Sequence, residues 1–227
     1  QTLRSGLPST TILVREYSHE PWNPALPQHL YFRDKLGDGT MAGAMAQYVS
    51  RAEQIKALFE FYWPNRLFGA LSTDWNDTSI STLVTANATT FWFYLAVAAR
   101  FGESIVVDSS SKSISDILNE CDTDLAGTFQ SNLDAHLAIA QTMGASASLA
   151  SYAGGAGLTV PQTASQADRN LLADVNDSSG MGTRYTDMID RWESTLGNTP
   201  FCHDGDIAVW DTTARGIRRY QAGQTPK

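Results

Sequence analysis

The sequence predicts a mainly α protein, a single helical-bundle domain of about four to six helices with long extended N- and C-terminal arms. Three observations carry that expectation. The first is the run Phe91-Trp92-Phe93-Tyr94-Leu95-Ala96-Val97-Ala98-Ala99, inside a helical pattern from Ile80 to Phe101. It has no polar side, and a helix that is apolar all round must be enclosed. The run is far short of the roughly 20 residues that cross a bilayer, and Asn87, Thr89 and Thr90 interrupt it upstream. It therefore reads as a central helix enclosed by protein.

The second observation is the three-and-four spacing of Met41, Ala44, Met45, Tyr48, Val49, Ala52, Ile55, Leu58, Phe59 and Tyr62, the pattern of one apolar helix face. Thr40 is placed to cap it, and Pro64 ends it. The third is a stripe of Ile114, Ile117, Leu118, Cys121, Leu125, Phe129, Leu133, His136, Leu137, Ala140 and Met143. It predicts an unbroken helix roughly 45 Å long, capped by Ser113 or Ser115 and closed at Gly144. Leu125, Phe129 and Leu133 belong on its inner face. Asp116, Glu120, Asp122, Asp124 and Asp134 make its outer face acidic.

The remaining elements follow in order. Residues 1–36 read as an extended arm, because Pro8, Pro21, Pro24 and Pro27 hold themselves and their predecessors out of helical geometry. Thr10 to Val14 within it is β-prone. The body runs over residues 37–200. Glu103 to Asp108 is a short strand or a connection. The Ala, Ser and Gly-rich stretch 144–162 is a long loop, with Ala145 to Ala153 as a small-residue helix. Helices are expected from Thr163 or Ser165 to Val175, and from a Thr183 cap to Leu196, with a polar loop from Asn176 to Gly182 between them. Residues 201–227 form the second arm, with Ile207 to Trp210 as a short extended segment.

Charge separates the arms from the body. The net charge is −8, which disfavours a general nucleic-acid binder, since phosphate neutralisation needs clustered Lys and Arg. Yet the first 15 residues hold Arg4 and Arg15 and no acid, and residues 214–227 hold Arg215, Arg218, Arg219 and Lys227 and no acid. Arg215, Arg218 and Arg219 are the candidate assembly or phosphate contacts. The acidic face of the long helix offers a complementary surface on a neighbouring copy. Two cysteines, Cys121 and Cys202, are too few for a disulfide framework. Cys121 lies on the apolar stripe and reads as a buried free thiol.

Candidate chemistry is sparse. His203, Asp204 and Asp206, in the cluster Cys202-His203-Asp204-Gly205-Asp206, are the candidate metal ligands, although the same composition makes an ordinary turn. His136 lies on the apolar stripe and reads as a core histidine with satisfied hydrogen bonds. The aromatic runs Phe59 to Trp63 and Phe91 to Tyr94 read as core in preference to a ligand pocket. No catalytic constellation and no cofactor motif is present, and no membrane span.

These readings lead to a structural, self-assembling protein, such as a coat or capsid subunit of a particle or filament. Its arms would be exchanged between copies to form a homo-oligomer, with nucleic acid a further partner through the basic tail. Such a protein would be particle-associated or extracellular. The alternative is a secreted or periplasmic enzyme or small-molecule-binding protein with an apolar pocket between helices.

Overall fold

The structure is a computed structural model that describes residues 13–18, 20–63, 67–161 and 163–203. It overturns the helical bundle. The chain is an α/β protein whose strands join a parallel sheet, with neighbours in the order β1-β2-β3-β5-β4 and β6 also paired to β5. The chain divides into two compact units, Gln1–Val97 with Ala135–Ala150, and Ala98–Asp134 with Ser151–Lys227.

In the first unit, β1 (Leu13–Glu16), β2 (Leu67–Ser72) and β3 (Tyr94–Val97) pair in parallel. The register sets Glu16 beside Ala70, and Ala70 beside Tyr94. Parallel neighbours need a crossover, which is usually helical. Between β1 and β2 it contains α1 (Pro27–Leu30), a π-helical turn over Tyr31–Leu36, and α2 (Met41–Tyr62). Part of what reads as an arm is therefore strand and helix, and Trp22 and Phe32 in it are buried. Ala44, Met45, Tyr48, Val49 and Ala52 are buried along α2, as their spacing predicts. Thr40 caps α2, its hydroxyl accepting from the Gly43 N–H. The crossover from β2 to β3 contains α3 (Thr78–Asn87), capped by Asp77.

The expected central helix does not exist as such. The segment Ile80 to Phe101 contains the rest of α3, an irregular stretch, β3, and β4 (Arg100–Phe101). An all-apolar run carries no period, so it fits a buried helix or a strand enclosed on both faces equally well. Its shortness and its aromatics favour the strand. Leu95, Ala96 and Val97 are buried without alternation, as a strand covered on both sides must be.

In the second unit, β4 and β6 (Phe201–His203) each pair in parallel with the part of β5 (Ser148–Ala156) from Ser151 onward. β5 occupies the stretch expected to be loop and small-residue helix. Its small residues accept close neighbours: a Cβ on Gly154 would overlap the ring of Phe201. The long stripe is α4 (Ile114–Asp124), a π-helical segment Leu125–Phe129 and α5 (Gln130–Ala140). The helical run continues to Met143, as the stripe predicts, but with a π turn inside it for a geometric reason. Ile117, Cys121, Leu125, Phe129 and Leu133 are all buried at four-residue intervals. On a straight α-helix each such step drifts about 40° around the axis. The wider π turn takes up that drift and keeps the stripe on one side. Ser113 does cap α4, in a capping box with Asp116.

The last two helices are α6 (Gln166–Asp177), capped by Ser165 with Asp168, and α7 (Ser179–Leu196), capped by Ser178. Thr183 therefore lies inside a helix rather than at its start. The expected loop over Asn176 to Gly182 narrows to the junction at Ser178.

Candidate functional site

Parallel α/β sheets place their ligand sites at the carboxyl ends of the strands, which directs attention to where β1 and β2 finish. Side chains alternate across a strand, and the contacts of β1 show which face is which. The Arg15 guanidinium lies over the Phe59 ring of α2, 4.6 Å from its centroid. Tyr17 stacks on Tyr48 of α2 with centroids 6.4 Å apart. Arg15 and Tyr17 thus face α2, and Glu16 faces the other way. By the register, Ala70 and Ser72 of β2 and Ala96 of β3 share the face of Glu16.

That face changes character along the strands. Toward the amino ends it carries Val14, Phe68 and Tyr94; toward the carboxyl ends it carries Glu16, Ala70, Ser72 and Ala96. The second group is small or polar, and Ala70, Ser72 and Ala96 are buried. The Ser72 hydroxyl is enclosed and makes no hydrogen bond among the described residues. Burying a hydroxyl without a partner costs free energy, so Ser72 stands out on this face as the polar group whose hydrogen bonding is incomplete among the described residues.

The charge pattern around Glu16 is specific. Tyr48 accepts a hydrogen bond of 2.7 Å from the Ser72 backbone N–H. Burial first, and the negative charge of Glu16 second, push the Tyr48 hydroxyl well above its ordinary pKa. Tyr48 therefore stays protonated and acts as a fixed dipole on the end of β2. Burial lowers the Arg15 pKa, opposed by the nearby Tyr48 and Tyr17.

Beyond Ser72, a buried hydrogen-bond chain fixes the segment that leaves β2. The Thr73 and Ser81 hydroxyls are 2.8 Å apart, Ser81 Oγ is 2.8 Å from His136 Nδ1, and His136 Nε2 is 2.9 Å from the Trp75 carbonyl. The carbonyl can only accept, so Nε2 carries the proton. Nδ1 then accepts from Ser81, which accepts from Thr73. Thr73, Ser81 and His136 are fully buried, so this chain braces the fold and has no open position for a substrate. The core reading of His136 agrees with this placement.

His203 ends β6, but its side chain, Asp204 and Asp206 lie outside the described residues, as do Arg215, Arg218 and Arg219. Among the described residues no group of three or more His, Cys, Asp or Glu is placed to hold a metal. Cys121 is buried and Cys202 exposed, both free. The acidic face of α4 is engaged within the chain. Asp116 belongs to the capping box, Lys112 donates to Glu120 at 2.7 Å, and Asp122 pairs with Arg184. Asp124 accepts from the Gly102 N–H at 2.7 Å. The run Phe59 to Trp63 is not core throughout, since Phe61 is 80% exposed. No described helix is long and apolar enough to cross a membrane.

Sequence reading missed Glu16 and Ser72. The available signal was local: each closes a short β-prone or apolar run, Leu13-Val14-Arg15-Glu16 and Leu67-Phe68-Gly69-Ala70-Leu71-Ser72. It has meaning only once those runs are known to be parallel neighbours. Comparison with known proteins adds no identity: no protein-family model matches this chain, and no curated protein matches it.

Proposed function

We propose that this chain is an α/β small-molecule-binding domain of enzymatic type, with its ligand on the sheet face that carries Glu16 and Ser72. The enclosed Ser72 hydroxyl, without a partner among the described residues and on the same face as Glu16, is the observation that supports this most. Such a pair suits a small polar molecule. The serine donates to or accepts from a ligand oxygen, and the carboxylate of Glu16 takes a proton as a general base. This retains the enzyme or ligand-binding alternative raised by the sequence and moves the site from an apolar pocket between helices to a sheet face. The coat-subunit reading rested on a helical body with two long apolar arms of opposite charge and on the lack of a catalytic constellation, with the acidic face as the surface to receive the basic tail. The body is α/β, and the acids Asp116, Glu120, Asp122 and Asp124 have partners within the chain.

The test is thermal denaturation of the wild-type chain, Ser72→Ala and Glu16→Gln against a panel of small polyols, carboxylic acids and amines. Ser72→Ala is expected to melt at or above the wild-type temperature, because an enclosed hydroxyl without a partner among the described residues is destabilising. At least one compound should raise the wild-type melting temperature and fail to raise that of either variant. A Ser72→Ala chain that melts well below wild type, together with no stabilising compound, would overturn the reading. Large uniform assemblies in dilute buffer would return the question to self-association.

A further inference from the structure

We infer that His136 is a positioning residue whose protonation state sets the direction of the Thr73–Ser81–His136 hydrogen-bond chain and, through it, the conformation of the segment Ser72–Asp74. The inference rests on the proposed ligand site for its functional meaning, but its geometry stands independently. The segment is gripped on both sides of Asp74. Before it, the Thr73 side chain reaches Ser81 in α3, and the Thr73 N–H extends the sheet by donating to the Ala96 carbonyl at 2.9 Å. After it, Trp75 is held by its carbonyl on His136 Nε2 and by its indole, which stacks on the imidazole with centroids 5.4 Å apart.

The chain has one direction while the imidazole is neutral. Thr73 donates to Ser81, and Ser81 donates to Nδ1. Adding a proton at Nδ1 turns that atom into a donor. Ser81 must then accept from His136 and donate to Thr73, and the Thr73 hydroxyl, a donor before, becomes an acceptor. Its own proton then needs a different acceptor in a fully buried place, where an unmade hydrogen bond is costly. The Trp75 carbonyl keeps its bond throughout, because Nε2 carries a proton in both states. The reversal is therefore felt before Asp74 and not after it.

The charged groups facing His136 are Asp74, in the connection after β2, and Asp77, the N-cap of α3, both of which favour the protonated ring, while burial opposes it more strongly. On its own helix, Asp134 accepts from Gln130. Acidification thus has a defined point of entry, and the site residue Ser72 sits next to Thr73, whose hydrogen bonding reverses.

The test is an NMR pH titration of the full chain, following the His136 ring nitrogens and the amides of Thr73, Asp74 and Asn76. The neutral ring is expected as the Nε2–H tautomer, with the Thr73 and Asp74 amides shifting at the midpoint of the ring. In His136→Gln, which cannot titrate but can donate to the Trp75 carbonyl, that shift should be absent. In Ser81→Ala the ring should still titrate while Thr73 no longer follows it, so the question stays answerable if His136→Gln fails to fold. Wild-type amides that do not move at the His136 midpoint, or a shift that survives in Ser81→Ala, would overturn the inference. If the coupled shift is seen but no compound stabilises the chain through Ser72, the ligand reading fails and the switch stands.

Discussion

The imidazole of His136 lies nearly parallel to the indole of Trp75, with planes 16° apart and centroids 5.4 Å apart, and donates to the carbonyl of the same residue at 2.9 Å. One side chain thus holds both the ring and the backbone of the residue that follows Asp74. The contact ties α5 to the carboxyl end of β2.

The pH dependence of stability should carry the mark of this contact. Burial holds the His136 pKa below its ordinary value of 6.5, opposed by the bond to Trp75 and by Asp74 and Asp77. Between the folded-state midpoint and about pH 6.5 the unfolded chain binds a proton that the folded chain does not, so stability falls as pH falls. The contribution is complete above about pH 6.5 and is lost on acidification through the folded-state midpoint. Urea midpoints between about pH 7.5 and about pH 5 should decline less steeply for His136→Gln than for wild type. Equal slopes would mean that another group carries the acid sensitivity.

Leu133 is fully buried on the stripe, where truncation leaves a cavity. Leu133→Ala should cost about 2–5 kcal/mol in chemical denaturation. A loss near zero would show that Leu133 is not enclosed in solution, because collapse of the core removes only the cavity part of the cost.

Gly154 should resist any side chain, because a Cβ there would overlap the Phe201 ring. Gly154→Ala is expected to cost about 1–3 kcal/mol, and less in a Phe201→Ala background, since the two sites share one space. Additive losses in the double variant would place the strain elsewhere.

Phe61 is 80% exposed although it falls in a run that reads as core. Phe61→Ser should therefore change stability by no more than about 0.5 kcal/mol. A loss several times larger would mean that this ring is covered in solution.

Local chemistry made part of this protein legible. The caps at Thr40, Ser113 and Ser165 could be read because a hydroxyl just before an apolar periodic run needs only its own next turn for partners. The buried positions from Ala44 to Ala52 of α2 and from Ile117 to Leu133 of the stripe were readable for the same reason, since helical hydrogen bonds and spacing are internal to the segment, whereas Leu58 and Tyr62 of the α2 pattern are exposed. Strands were a different matter. Phe91 to Ala99 has no period, and Ser148 to Ala156 has composition more usual in loops; Tyr94 to Val97 of the first and the whole of the second become strands because they gain hydrogen-bond partners from segments distant in the chain. The π turn at Leu125–Phe129 follows from four-residue spacings already visible in the sequence, but only burial of Ile117, Cys121, Leu125, Phe129 and Leu133 together makes the straight helix drift too far. Glu16 and Ser72 share a face solely because β1 and β2 pair in parallel at this register; a shift of one residue would send one of them to the α2 side. His136 could be placed on an apolar face from its spacing, yet its tautomer was decided by the Trp75 carbonyl. That partner comes from tertiary packing, because nothing within the helix itself offers Nε2 an acceptor at that position.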